Sequence, residues 1–181
     1  TREFKWYRPQ EGRNSISHNN VKALYYDADK EIIWIGTHLG GLNKLDIRSG
    51  HFTHYRMEEG NPNTLPSDII RDIIPYKSLL IIATQNGVCL FDPANGQCQQ
   101  LFKDSKEGKS IKMVADVTFD SEGTLWIAAT GEGVFSYRFD TCRLTNYRHD
   151  ATNPNSLSNN NVNNITQDSK GNLWFSTSGS G

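Results

Sequence analysis

The sequence predicts an all-β fold made of roughly four copies of a four-stranded antiparallel unit. Three observations predict it. Apolar residues come in short runs rich in Ile, Val, Trp, Phe and Tyr, with no helical period over more than one turn. Gly, Asn, Asp, Ser and Pro bound those runs. Above all, the pattern recurs: Trp34, Ile81, Trp126 and Trp174 hold equivalent positions 47, 45 and 48 residues apart.

The first unit runs Asn20 to Asp27, then Ile33-Trp34-Ile35-Gly36-Thr37, then Gly41 to Asp46, then Phe52-Thr53-His54-Tyr55. The second has Ile70 and Ile73, Ile81-Ile82-Ala83-Thr84, Gly87-Val88 with Phe91-Asp92, and Leu101-Phe102 as its fourth strand. Its unbroken apolar run, Leu79 to Ala83, suits a buried strand. The third gives Val114 and Val117, Leu125 to Ala128, Gly133-Val134 with Phe139, and Leu144 to Tyr147. The fourth has Val162 and Ile165, then Leu173 to Thr177. Between first and second strands, Asp120-Ser121-Glu122-Gly123 and Asp168-Ser169-Lys170-Gly171 are turns in which Asp bonds its own backbone and Gly takes positive φ. Between third and fourth strands, Gly50 and Gly96 close the turns; Cys142-Arg143 has no such glycine, so that hairpin should differ.

Four strands per 40 to 50 residues is what a β-propeller blade requires, because one twisted sheet cannot hide both its faces and must stack on neighbours. Blades are expected at 16–56, 64–102 and 110–148, with an incomplete blade at 157–181. Phe4-Lys5-Trp6-Tyr7-Arg8 aligns with Phe52 to Arg56, so 1–8 reads as the last strand of a preceding blade. The linkers repeat too: Asn61-Pro62-Asn63-Thr64-Leu65-Pro66 matches Asn153-Pro154-Asn155-Ser156-Leu157-Ser158. The chain reads as a partial array within a longer one, able to associate through its open ends. Trp34, Trp126 and Trp174 are expected to fill the space between sheets.

The 181 residues are 36% hydrophobic and 22% charged, with a net charge of −1, which gives no field for nucleic acid or an anionic membrane. No run reaches the length of a membrane helix. Neither membrane contact nor nucleic-acid binding is expected. Cys89, Cys98 and Cys142 have no metal-ligand spacing; Cys89 and Cys98 flank one hairpin and are expected to be reduced, with a bridge as the alternative.

The run Asn155 to Ser158, then Val162 and Ile165, then Asp168-Ser169-Lys170-Gly171-Asn172-Leu173-Trp174-Phe175-Ser176-Thr177, resembles the two-component regulator propeller repeat. Trp34 to Thr37 followed by Gly40-Gly41-Leu42 resembles its second hairpin. Ile81 for Trp, and Pro75 to Ser78 for the Asp turn, depart from it. The resemblance implies a periplasmic segment of a Bacteroides-type hybrid sensor histidine kinase, whose kinase lies elsewhere in the parent chain. It further implies sensing of oligosaccharides from polysaccharides, with other blades and a dimer partner as protein contacts. A protein-binding scaffold is the alternative, and a propeller lyase or lactonase a third reading.

The residues show no catalytic constellation. The five histidines have no metal spacing, and no nucleophile elbow or phosphate loop is present. Catalytic residues, cofactors and metals are therefore not expected. A ligand-binding rim is easier to place, where the segments entering first strands meet the loops leaving second strands. Its candidates are His18, Asn20, His38, Arg71, Asn86, Asp116, Glu132 and Asn161, whose amides and charges suit a hydroxyl-rich ligand. Asp68 and Asn160 fall on the same rim, and Asp72 and Asp116 are expected to face the channel and hold ordered water or an ion.

Overall fold

The computed structural model describes residues 3–179. Fourteen strands form three four-stranded sheets and one two-stranded sheet among the described residues. Blade 1 is β1 (Val21–Asp27), β2 (Ile32–Thr37), β3 (Leu42–Asp46) and β4 (Phe52–Tyr55). Blade 2 is β5 (Ile70–Tyr76), β6 (Leu79–Thr84), β7 (Gly87–Phe91) and β8 (Cys98–Gln100). Blade 3 is β9 (Val114–Phe119), β10 (Leu125–Ala129), β11 (Gly133–Arg138) and β12 (Arg143–Tyr147). Blade 4 contributes β13 (Val162–Gln167) and β14 (Leu173–Thr177). Every sheet is an antiparallel meander in sequence order, and the first strands β1, β5, β9 and β13 pack one against the next. This is a β-propeller array.

The alternation of apolar residues dictates the stacking. In β2, Trp34 and Gly36 face blade 2 and Ile33 and Ile35 face the other way, since successive side chains of a strand point to opposite faces. Three cores result. Between blades 1 and 2 lie Trp34, Leu42, Leu65, Ile70, Ile73, Ile82 and Phe91. Ile81, Val88, Val114, Val117, Leu125 and Ile127 fill the next interface. Between blades 3 and 4 lie Ala128, Val134, Val162 and Ile165, with Trp126 and Phe175 half-buried beside them. Despite its missing Trp, blade 2 is a regular sheet, and Ile81 is fully buried.

Two expectations need correction. Trp174 does not fill an inter-sheet space: it is 60% exposed, against 1% for Trp34, because it faces forward from blade 4 where no further sheet stands among the described residues. The fourth strand of blade 2 is Cys98–Gln100, not Leu101-Phe102; Phe102 turns the chain away at φ 63°. Residues 3–8 form no strand, with no third strand beside them among the described residues, and residues 1–2 and 180–181 of the expected blades lie outside the described residues.

The turns follow the side chains. Asp120 Oδ1 accepts the amides of Glu122 and Thr124 while its Oδ2 accepts the Trp126 indole N–H at 2.8 Å. Asp168 repeats this with Lys170, Asn172 and Trp174. In the third-to-fourth-strand turns, Gly50 and Gly96 take φ of 68° and 75°. The glycine-free turn of blade 3 does differ: Cys142 itself is forced to φ 53°. Cys89 and Cys98 are buried free thiols, and a hydrogen bond from Cys98 is the first cause raising Cys89 above the usual thiol range, burial the second.

Candidate ligand-binding rim

One backbone hydrogen bond recurs in all four blades and builds the rim. The residue leaving the second strand donates its amide to the residue entering the first: His38 to Asn20 at 2.8 Å, Gln85 to Ile69 at 3.0 Å, Thr130 to Met113 at 3.2 Å and Ser178 to Asn161 at 2.9 Å. Each first strand also carries a register irregularity just inside this bond, between Val21 and Ala23, Ile70 and Asp72, opposite Ala128 and Ala129, and between Val162 and Asn164. Such bulges re-aim side chains at a sheet edge. Entering segments and leaving loops therefore share one side of the array, as the sequence indicates.

The eight candidates divide among the blades. In blade 1, the His18 ring Nδ1 accepts the Asn20 amide at 3.0 Å, and Asn20 receives the His38 amide, so the three form one cluster. His38 Nδ1 is enclosed without a hydrogen-bond partner, a cost that loop bears. In blade 2, Arg71 donates to Gln85 Oε1 at 3.1 Å, and the amide side chain of neighbouring Asn86 reaches the Pro66 carbonyl at 3.4 Å. In blade 3, Glu132 pairs with Arg148. Exposed Asn161 adjoins them, since Gly131 and Gly133 both donate to the Asn160 carbonyl.

Asp116 lies within β9, where it bonds across to the next blade. Its Oδ2 accepts the Ile165 amide at 2.6 Å and the Asn164 side chain at 3.1 Å, both from the next blade. Asp72 likewise accepts the Val117 amide of its next blade at 3.4 Å, along with Ile73 at 2.8 Å. The bulge turns each carboxyl toward the neighbouring first strand, so both serve as inter-blade clamps. Burial raises Asp116 to about 6, the Ile165 amide opposes this, and the adjacent Asp72 carboxyl adds to it. Burial also raises Asp72, against the pull of the Ile73 and Val117 amides.

Asp68 and Asn160 on the rim are structural as well. Asp68 accepts the Met57 amide, the Gly41 amide and Arg56, and Asn160 accepts the His149, Gly131 and Gly133 amides. Arg56 and Arg148 are rim residues that the sequence analysis missed. Arg56 donates to the Leu39 carbonyl at 3.1 Å and Arg148 to the Gly131 carbonyl at 3.4 Å. The signal was present in the repeated Tyr7-Arg8, Tyr55-Arg56 and Tyr147-Arg148. The eight candidates thus form separate clusters, blade by blade. The largest cavity described, of about 620 Å³, lies between blades 3 and 4, where the rim residue Arg148 joins Asn146, Asp150, Trp126, Leu157 and Phe175 in its lining.

A stack of propeller blades with a polar rim defines the class. Comparison with known proteins adds the repeat type. Residues 15–38 and 156–179 match the model of the two component regulator propeller family. No curated protein gives a match. Among solved structures, the chain resembles the extracellular domain of BT3049 of B. thetaiotaomicron, described as a hybrid two component system. The TM-score is 0.80 at 22% identity, covering 96% of this chain and 23% of that one. The extracellular domain of BT4673 from the same organism gives 0.51 at 23% identity, covering 93% and 27%. A catalytically inactive virginiamycin B lyase from Staphylococcus aureus gives 0.63 at 14% identity, covering 94% and 52%. At these identities the likeness establishes the fold. The chain spans about a quarter of the length of the two B. thetaiotaomicron domains.

Proposed function

We propose that the chain is part of the periplasmic ligand-sensing region of a hybrid two-component sensor and responds to oligosaccharides released from polysaccharides. The observation that carries the reading is the family match at 15–38 and 156–179. Each stretch runs from a linker through the entering segment to the loop leaving the second strand, and so spans one sector of the rim. The resemblance in fold to extracellular domains of B. thetaiotaomicron supports the same reading. Rim groups of both hydrogen-bonding senses, Asn20, Arg71, Asn86 and Asn161, suit a ligand dense in hydroxyls.

No step of bond making or breaking is assigned to this chain. A ligand spanning two rim clusters would favour one relative setting of adjacent blades, and by that differential affinity bias a kinase carried elsewhere in the parent protein. The test is a thermal-shift and calorimetric screen against oligosaccharides of defined linkage, with product analysis after long incubation. One glycan class is expected to raise the unfolding temperature without turnover. Asn20→Ala or Arg71→Ala should then abolish the rise and leave the unliganded transition in place. Failure of every glycan to bind, or appearance of product, overturns the proposal, and product would favour an enzyme.

A further inference from the structure

The two hairpins that depart from the repeat meet at one place. Pro75 to Ser78 closes the first hairpin of blade 2, and Arg138 to Cys142 closes the glycine-free hairpin of blade 3. Strand register identifies what they replace. Tyr76 stands where blades 1, 3 and 4 have Asp27, Asp120 and Asp168, each accepting an amide of its own turn. Arg138 stands where blades 1 and 2 have Asp46 and Asp92, which accept the Ser49 and Ala94 amides at 2.8 Å. Phe139 follows it, in the place of Ile47 and Pro93.

The result is a cleft of about 400 Å³ at the boundary of blades 2 and 3, on the side opposite the rim. The turn of blade 2 holds two residues, Lys77 and Ser78, where that of blade 1 holds four, 28–31, so less chain covers the boundary. Both flanking blades have all four strands, and the cleft lies inside the array. Its floor is aromatic. Tyr76 stacks on Phe139 at 4.3 Å, with Phe119 at 5.5 Å, and all three are half-buried. Its walls carry four charges of balanced sign. Arg138 is taken up by Asp140 in two bonds, of 3.1 and 2.7 Å. Lys77 and Glu122 line the cleft from one blade each, Lys77 with its ammonium 5.2 Å over the Tyr76 ring. Neither is in an ion pair among the described residues.

This lining sets what it can hold. Wall charges that sum to zero favour neither an anion nor a cation. One unpaired ammonium and one unpaired carboxylate call for a ligand that both accepts and donates hydrogen bonds. The aromatic floor calls for a flat apolar face. A neutral pyranose ring supplies all three, through adjacent hydroxyls and the C–H face of the ring. The volume falls within the range of small-ligand sites, about 300–1,000 Å³.

We propose that this cleft is a second ligand site, separate from the rim, that takes one neutral sugar residue. Lys77 donates to one hydroxyl, Glu122 accepts from the next, and Tyr76 with Phe139 packs against the C–H face.

Saturation-transfer NMR with methyl glucoside, methyl galactoside and methyl mannoside tests this, in the Arg71→Ala background that disables the rim site. At least one of the three should bind. Lys77→Asn, a residue that tolerates the left-handed φ of 55° found there, and Glu122→Ala should each weaken binding by about ten-fold or more. Both are exposed turn positions, so circular dichroism should be unchanged. Absence of pyranoside binding in that background, or binding that survives both substitutions, overturns the inference. Tighter binding of the anionic methyl glucuronide than of every neutral pyranoside overturns it too. Binding to the wild-type chain that Arg71→Ala abolishes leaves the rim reading standing and overturns this one.

Discussion

Blades 1 and 2 meet much as blades 3 and 4 do, through the same residue types, yet the two interfaces differ in burial. Trp34 has Tyr55 at 6.0 Å and Phe91 at 5.4 Å, the two rings meeting each other edge-on at 4.8 Å, and Leu65 of the linker is fully enclosed. Trp126 has the equivalent Tyr147 at 5.5 Å and Phe175 at 5.9 Å, but no counterpart of Phe91. Leu157, the equivalent of Leu65, is only half-buried, and the cavity opens there. Phe91 comes from a third strand, and blade 4 has two strands among the described residues. A repeat position acquires its energetic weight from the neighbour it meets, and the same tryptophan can be core or surface.

Truncation of the tryptophans breaks the comparison most sharply. Trp34→Ala should cost about 3–5 kcal/mol in urea unfolding, as for a fully buried aromatic. Trp126→Ala should cost roughly half as much, its site being partly open already. Trp174→Ala should cost less than about 1 kcal/mol. Equal losses at all three positions would show that burial does not set their weight.

The loops at the rim should behave alike in both regions. Gly41 and Gly133 have φ of 69° and 80°, and a Cβ at either would fall 2.3 or 2.2 Å from the carbonyl oxygen of Tyr55 or Tyr147. Both the backbone region and the close approach exclude a side chain. Gly41→Ala and Gly133→Ala should each cost about 2 kcal/mol or more, to a similar extent, measured by unfolding midpoint.

The first strands supply a pH test. Burial raises Asp116 on folding from an ordinary value near ~4 to about 6. A carboxyl raised in this way contributes stability that is fully present below the unfolded pKa and is lost as pH rises through the folded one. The unfolding temperature should therefore fall between about pH 4 and pH 7 through this group, by a few degrees at most given its partial exposure to solvent. Asp116→Asn keeps an acceptor for the Ile165 amide and should flatten that dependence, raising the midpoint at neutral pH. A steeper dependence in the variant would sink the assignment.

The smallest effect lies in the turn that lacks its glycine. Cys142→Gly relieves a left-handed non-glycine residue and should stabilise blade 3 by about 1 kcal/mol, seen as a small rise in urea midpoint. The same measurement on Gly50→Ala in blade 1 should move the other way.

The fold was legible because a period-2 apolar pattern, written several times at one spacing, admits few other arrangements. The departures at Ile81 and at Pro75 to Ser78 did not disturb blade 2, since Ile81 fills the tryptophan's place as a fully buried apolar residue. The rim was legible only as a set of segments. The repeat placed the entering segments that carry Asn20, Asp68, Arg71 and Asn161 on one rim. It could not show that Asp116 turns to the next blade while Glu132 pairs with Arg148, because a bulge rotates the first and a distant strand end supplies the second.

By itself, the sequence determined the strand order within each blade, the turn chemistry of Asp120 and Asp168, and the repeat that stacks the sheets. These are local: hydrogen-bond partners and neighbours in the meander lie within one unit. The tertiary structure alone decided which tryptophan is buried, which carboxylates clamp blades together, and which rim groups remain available. Those properties depend on the face a neighbouring sheet presents, and desolvation and packing act across space between residues far apart in the chain.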